Sequence, residues 1–261
     1  MAVMSIGKAW EETVAFVARE RSLLFPVALL FVALPGLIVQ EMTPPELASW
    51  TMKDAFPDVP VSFWLAVLLG VILIWFGSLT LFALALRPGI SVQEALRLSL
   101  ARLPILLGTA LMVVGLLGAA ITVAAIVVVV LSLVAKPLAA ALATLLGVAV
   151  GGMMLFVSVR LLLLNPVVID GDAGVMASLR HSWALTRGHF WRLLGFILIL
   201  TLLSAIVGSA AQAIFGVIGG LVGGPESARL SGGIAAAAVS TLLQVYMLVM
   251  LARLYRQAEG A

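Results

Sequence analysis

Long apolar runs separated by short polar segments dominate this sequence and restrict the folds open to it. Six runs of 17 residues or more carry almost no charge, and they cover residues 23–39, 61–86, 105–130, 138–164, 191–217 and 234–251. A helix needs about 20 apolar residues to cross a hydrocarbon core of about 30 Å. Because backbone groups in lipid must be bonded within their own segment, each run is predicted to be a membrane-spanning helix.

The composition of the chain agrees with this interpretation. Hydrophobic residues make up 63% of the sequence and charged residues 10%, whereas soluble domains have roughly 45–50% apolar and about 25% charged residues. The predicted fold class is therefore an all-α integral membrane protein with six transmembrane helices, in a single membrane domain over residues 1–261. Its basic residues are scattered rather than grouped in runs, which argues against a nucleic-acid partner.

Three polar, amphipathic segments each precede a pair of apolar runs. They begin near residue 5, at Ser91 and near Asp172. Ser91 and Glu94 have the spacing of a capping box, which starts a helix. We predict that all three segments are interfacial helices on the cytoplasmic membrane surface. The glycine-rich segment 219–233 is predicted to be a flexible loop, and Pro26 and Pro35 are predicted to kink the first span.

The third amphipathic segment is the only long, polar and patterned part of the chain. A turn of 100° per residue places its apolar side chains on one face, namely Val175, Met176, Leu179, Trp183 and Thr186. Ser178 and His181 are predicted to lie opposite this face, and Gly188 is predicted to end the helix. The apolar run that begins at Trp191 follows directly.

The arrangement of the segments indicates an internal repeat. Leu96-Arg97-x-Ser99 matches Leu179-Arg180-x-Ser182 at an offset of 83 residues. Three units of parallel topology, 5–88, 91–170 and 172–256, each contain one amphipathic helix and two spans. The alternative is that hydrophobic chains align with themselves by chance.

The orientation follows from the distribution of basic residues. Of the 15 Lys and Arg residues, twelve lie on one side of the predicted membrane, and the three exceptions are Lys53, Lys136 and Arg229. The positive-inside rule makes the side with twelve cytoplasmic. Both termini are therefore predicted to be cytoplasmic.

Few residues offer catalytic or metal-binding chemistry. The chain has no Cys, and its two histidines, His181 and His189, are separated by Gly188 rather than placed on one helix face. We interpret them as interfacial histidines, and we predict no metal, no cofactor and no catalytic residue. Gln212 and Gln244, within the fifth and sixth spans, are interpreted as interhelical hydrogen-bond partners rather than substrate ligands.

Arg160 is the most unusual charged residue, because it is followed by further apolar residues. Charges at membrane depth are costly and tend to pair. We predict an ion pair with Asp170 or Asp172. The alternative is that Arg160 extends to the interface with its stem in lipid.

A basic and aromatic group lies around the third amphipathic segment. It consists of Arg180, Arg187, Arg192, Trp183 and Trp191. Arginine and indole side chains both favour the headgroup region, so we predict that these residues bind anionic phospholipids. The alternative is that they anchor the chain without any lipid preference.

Two motifs in this part of the chain, Asn165-Pro-Val-Val-Ile-Asp170 and Ser178-Leu-Arg-x-Ser-Trp-x-Leu-Thr-x-Gly-x-x-Trp-Arg192, resemble those of the YciC-like bacterial inner-membrane proteins. That family is similar to the membrane domain attached to some glycerophosphoryl diester phosphodiesterases. The resemblance implies a six-helix fold in the bacterial inner membrane and supplies no catalytic residues. Where members often have Glu, this chain has Asp170-Gly171-Asp172.

These observations predict a non-enzymatic inner-membrane protein. We expect a scaffold or accessory protein that interacts with membrane lipids and with protein partners or further copies of itself. The alternative is a small permease for a lipid-like or amphiphilic solute, which would require a buried polar path.

Overall fold

The computed structural model describes residues 5–51, 55–171 and 174–260, and these residues form helices and no strands. The helices are α1 (Ile6–Ala28), α2 (Leu34–Met42), α3 (Pro45–Ala48), α4 (Val61–Leu86), α5 (Val92–Ser132), α6 (Lys136–Arg160), α7 (Leu164–Asp170), α8 (Val175–Leu185) and α9 (Phe190–Glu259). A π-helical turn, Leu29–Ala33, joins α1 to α2. Lys53 and Asp172, both named in the sequence predictions, lie outside the described residues.

Five helical segments in the described chain are long and apolar enough to cross a membrane. They are Ile6–Met42, Val61–Leu86, Val92–Ser132, Lys136–Asp170 and Phe190–Glu259. The most apolar windows of the third and fourth have mean hydropathies of 2.9 and 2.2, and no residue in either window is buried inside the protein. Soluble monomers rarely expose apolar surfaces of this extent. The helices are therefore compatible with a membrane protein.

The first segment bends at Glu20, ahead of both prolines. Glu20 is non-helical, with φ −100° and ψ 16°, and separates the amphipathic part of α1 from the apolar part. The π-helical turn lies between Pro26 and Pro35 and accommodates the carbonyl groups that prolines leave without a helical donor. Within Ile6–Met42 the residue with non-helical backbone is Glu20, so the kink predicted at Pro26 and Pro35 stays a prediction. Helix α2 continues to Met42, and α3 follows it.

The capping box at the start of α5 is confirmed. The Ser91 amide donates to Glu94 Oε2 at 2.9 Å, and the Glu94 amide donates to Ser91 Oγ at 3.2 Å. These two bonds satisfy amide groups that a helix start otherwise leaves without acceptors. Helix α5 extends from Val92 to Ser132 and includes Pro104.

The predicted glycine-rich loop at residues 219–233 is wrong, because that segment is helical. Only Gly224 departs from helical geometry, with φ 78° and ψ −168°. The two parts of α9 pack antiparallel about this residue, and Ser231 Oγ donates to the Phe215 carbonyl at 2.8 Å. Composition misleads here because membrane helices use glycine for close backbone approach rather than for flexibility.

The chain forms two compact units. The first contains residues 1–103 and 195–261, and its core includes the fully buried side chains of Leu24, Leu79 and Phe82. Within this unit the Arg256 side chain donates to the Leu86 carbonyl at the end of α4. The second unit contains residues 104–194, and α7 buries Val168 and Ile169 in it. The repeat boundaries proposed from the sequence stay a prediction.

Candidate functional site

The carboxyl end of α6 is held by hydroxyl groups from α8. Ser182 Oγ donates to the Arg160 carbonyl at 3.1 Å, and Thr186 Oγ1 lies 3.2 Å from that carbonyl and 3.0 Å from the Ser182 carbonyl, between which its one proton is shared. The last carbonyls of a helix have no partner within it, so these hydroxyl groups satisfy a group that would otherwise be unpaired. The consequence is a fixed position for α8 relative to Arg160.

The buried face of α8 does not coincide with its predicted apolar face. Ser178, Ser182 and Thr186 are fully buried, whereas Met176 and Trp183, on the predicted apolar face, are 46% and 40% exposed. The buried arc is thus rotated by roughly 70° from the apolar arc. The physical reason is that small hydroxyl side chains both fit close to α6 and bond its free carbonyl. Hydrophobicity alone could not locate this face.

Arg160 lies among aromatic rings. Its Cζ atom is 5.1 Å from the Phe156 ring centroid and 5.4 Å from that of Trp183. The two rings meet edge to face with centroids 5.5 Å apart. Both distances from Cζ are within the range of about 6 Å over which a cation is attracted to a ring face. The orientation of α8 that buries its hydroxyl groups also directs Trp183 toward the Arg160 guanidinium.

The aromatic group continues into the start of α9. The Phe190 centroid lies 5.3 Å from that of Phe156 and 5.3 Å from that of Trp191. Gly188, with φ +86°, allows the reversal between α8 and α9 that brings Phe190 back to α6. Both predicted tryptophans, Trp183 and Trp191, therefore belong to one aromatic group with Phe156 and Phe190.

Two nitrogens of Arg160 have no hydrogen-bond partner. Nε and Nη1 are both buried, and no described residue accepts a bond from either. A guanidinium stays protonated in proteins, and a buried donor without an acceptor is costly. Asp170 is exposed at the end of α7, and Asp172 lies outside the described residues. The predicted ion pair between Arg160 and one of these acids stays a prediction.

The three other predicted arginines are exposed. Arg180 lies on the outer face of α8, Arg187 follows that helix and Arg192 lies in the first turn of α9. Trp191 is 79% exposed, so an aromatic surface accompanies the three charges. An exposed surface of arginine and indole groups is suited to the phosphate and glycerol region of a membrane.

Four residues that build this site were not among the predicted site residues: Phe156, Ser182, Thr186 and Phe190. Two signals were available. Phe156 precedes Arg160 by four residues, which places both on one helix face. Ser178, Ser182 and Thr186 recur at a spacing of four in a short helix, which indicates a small-residue packing face. Phe190 has no comparable signal, because its position depends on the turn at Gly188.

A second candidate site lies in the first unit, between the two parts of α9. A cavity of about 550 Å³ is lined by apolar residues and by Thr201, Ser204, Ser209, Gln212, Ser240 and Gln244. The lining includes both glutamines singled out from the sequence and no charged side chain. A pocket of this size and composition can hold an uncharged molecule that forms several hydrogen bonds.

The described chain thus has the features of an α-helical membrane protein with several candidate spans and an arginine site among aromatic rings. It belongs to the family described as a domain of unknown function (DUF7847), whose model matches residues 4–258. No curated protein matches the chain. No solved structure matches it either.

Proposed function

We propose that this protein is a non-enzymatic accessory or scaffold protein of the bacterial inner membrane that binds anionic lipid headgroups at its cytoplasmic surface. The observation that carries the proposal is the environment of Arg160. Its guanidinium rests on Phe156 and Trp183, and no described residue accepts a hydrogen bond from two of its buried nitrogens. A phosphate oxygen would supply that acceptor, and arginine is suited to phosphate because its donors form a planar fork.

The proposed topology has six spans and three interfacial helices. As one straight helix, the 70 residues of α9 would extend about 105 Å, whereas a hydrocarbon core is about 30 Å thick. The antiparallel packing of its two parts supports two crossings instead of one. The Glu20 kink supports an interfacial position for the first part of α1, and the turn at Gly188 does so for α8.

The burial pattern of the three proposed interfacial helices supports a threefold repeat. Each has two small residues, four positions apart, that are fully buried: Ala9 and Thr13, Ala95 and Ser99, and Ser178 and Ser182. Thr13 and Ser99 each donate their hydroxyl to the carbonyl four residues earlier, at 2.7 and 2.8 Å. A shared face of small, buried residues is more specific evidence for a repeat than shared hydropathy, because apolar segments do not require such a face.

The topology can be tested with reporter fusions. Reporters placed after Lys53, Lys136 and Arg229 are expected to be external, and those after Arg97, Arg187 and Arg256 cytoplasmic, because of the twelve-to-three basic distribution. Paired alkaline phosphatase and green fluorescent protein fusions would measure both sides. A cytoplasmic reporter after Arg229 would show that α9 does not make two spans.

Lipid binding can be tested by changing the exposed arginines. Arg180→Gln/Arg187→Gln/Arg192→Gln is expected to lose bound anionic phospholipid, because each basic residue near such a surface contributes about 1 kcal/mol. Arg160→Gln is also expected to lose bound anionic phospholipid, because the variant lacks the guanidinium donors proposed to bind the phosphate. Native mass spectrometry of the purified protein would count the retained lipids.

The charge control for these variants is Lys136→Gln/Arg229→Gln, which removes two charges on the side proposed to be external, one of them from the Arg229–Glu41 ion pair. Thermal unfolding in detergent would confirm that each variant is folded. If the folded triple variant and the folded Arg160→Gln protein retain phosphatidylglycerol as the control does, these arginines only orient the chain, and the lipid-binding function is wrong.

A second candidate function is a carrier for an uncharged amphiphilic solute. The cavity of about 550 Å³ between the parts of α9 favours it, because its hydroxyl and amide groups lie near the middle of the two proposed spans. Carriers commonly bind substrate near the bilayer midplane. Under this function, the same mass spectra would contain an uncharged molecule whose retention does not depend on the arginines.

A further inference from the structure

The two ends of the chain meet around Phe16. The Ser5 amide donates to Gln257 Oε1 at 2.9 Å, which joins the start of α1 to the end of α9. Phe16 is buried on α1, and the guanidinium of Arg253, from the last turns of α9, lies over its ring with Cζ 4.7 Å from the centroid. The Cζ atom of Arg19 is 5.7 Å from the same centroid. Two guanidinium groups therefore lie near the same ring.

The arginines line a cavity rather than closing the space between them. Its volume is about 300 Å³, and it is lined by Glu12, Ala15, Phe16, Arg19 and Arg253. Two guanidinium groups therefore share this space with one carboxylate. A phosphate group is much smaller than this volume, so an anion and its own substituent have room to enter.

The partners of the two arginines leave capacity for a further acceptor. Arg19 Nε lies 2.9 Å from Glu20 Oε1, but its side chain is 69% exposed, so this ion pair is weak and leaves other nitrogens available. Arg253 Nε is buried, and no described residue accepts a hydrogen bond from it. Like charges held near one ring repel, and an anion between them would relieve that repulsion.

We propose that Phe16, Arg19 and Arg253 form a binding site for the phosphate of an anionic phospholipid headgroup. Phosphate suits the geometry because its several oxygens can accept bonds from two guanidinium forks at once. The Glu12 carboxylate also lines the cavity and can accept a hydrogen bond from a hydroxyl group of the headgroup. The inference rests on the proposed function in one respect, namely that this surface faces lipid headgroups.

The site has the same construction as the one at Arg160. In both, an arginine near the end of a long apolar helix lies over an aromatic ring of an amphipathic helix: Arg160 over Trp183, and Arg253 over Phe16. In both, the arginine Nε is buried, and no residue in the described part of the chain accepts a hydrogen bond from it. Two sites in separate units share this arrangement, which indicates a common use rather than an accident of packing.

The test is a titration of the full-length protein in detergent with phosphatidylglycerol, phosphatidylcholine and inorganic phosphate, read by native mass spectrometry. Arg19→Gln/Arg253→Gln is expected to bind phosphatidylglycerol about tenfold more weakly at one site, because hydrogen bonds to charged groups are lost. Lys136→Gln/Arg229→Gln carries the same charge change and is expected to bind as the wild type does. Phosphatidylcholine is expected to bind weakly to all of them.

Two further variants separate the possible failures. Arg19→Gln alone changes an exposed residue and leaves the buried Arg253 in place, so it is expected to weaken binding without unfolding the protein. Arg160→Gln reports the other site, and its effect on phosphatidylglycerol should be independent of Arg19. If Arg160→Gln loses lipid while both Arg19 variants bind as the control does, this inference is wrong and the proposed function stands.

The source of the phosphate is tested in the same titration. Inorganic phosphate is expected to displace the lipid only weakly, because it lacks the acyl chains that anchor a headgroup at the surface. Binding of inorganic phosphate that depends on Arg19 and Arg253, with no preference for phosphatidylglycerol over phosphatidylcholine, would overturn the lipid assignment.

Discussion

Gly77→Val should destabilise the first unit more than any other glycine substitution in α4. A Cβ atom built on Gly77 would lie 2.5 Å from the Phe31 Cβ and 3.3 Å from the Phe31 carbonyl carbon and oxygen. The carbonyl atoms belong to the backbone, and the Cβ atom is bonded directly to it. No rotation of a flexible side chain can therefore relieve the clash. The helices would have to separate, at a cost of about 3 kcal/mol.

The measurement is the thermal unfolding midpoint in detergent, followed by tryptophan fluorescence. Gly36→Ala is the matched control, because Gly36 lies in α2 of the same unit and an added Cβ there has nothing within 4 Å. Alanine favours a helix over glycine by up to about 1 kcal/mol, so this control should be as stable as the wild type or more so. Equal midpoints for Gly77→Val and Gly36→Ala would contradict the close packing of α4 against the π-helical turn.

The helix boundaries with a local chemical signal could be predicted from the sequence. Ser91 and Glu94 form the predicted reciprocal cap, and Gly188 takes the positive φ that ends the α8 segment. The apolar runs were also identified, because burial in lipid is a one-dimensional requirement that each helix meets by itself. These features depend on residues close together in the chain.

The arrangement of the candidate site could not be predicted in the same way. The sequence groups the apolar side chains of α8 on one face, whereas the buried face contains Ser178, Ser182 and Thr186. What decides the face is the free carbonyl of Arg160, which is 22 residues from Ser182 and has no signature in the sequence of α8. In a membrane protein the apolar face of a helix can meet lipid, so hydrophobicity does not identify the inner face.

The second large expected effect concerns the hairpin in α9. The φ of 78° and ψ of −168° at Gly224 fall in a region that is essentially restricted to glycine, where other residues cost of order 1–3 kcal/mol. Gly224→Val is therefore expected to oppose the reversal of the chain. Pro225, which follows it, lacks an amide hydrogen and suits the first turn of the second part of the helix.

The hairpin can be detected directly, because the natural chain contains no cysteine. A Cβ built on Gly220 would lie 3.3 Å from the Ala228 Cβ, close to the separation of about 3.5–4.5 Å found in disulfides. Gly220→Cys/Ala228→Cys is expected to form a disulfide under mild oxidation. In a straight helix the same residues would be about 12 Å apart and unable to react.

Two comparisons make this result specific to the reversal at Gly224. Ala205→Cys/Ala213→Cys has the same spacing within the uninterrupted first part of α9 and should stay reduced, as quantified by mass spectrometry after thiol alkylation. Adding Gly224→Val to the Gly220→Cys/Ala228→Cys protein should lower the yield of the disulfide. Valine is strained in the Gly224 conformation, so the hairpin should close less completely. Failure of that pair to oxidise in the otherwise natural chain would mean that α9 does not fold back, and the second crossing proposed for it would be lost with the hairpin.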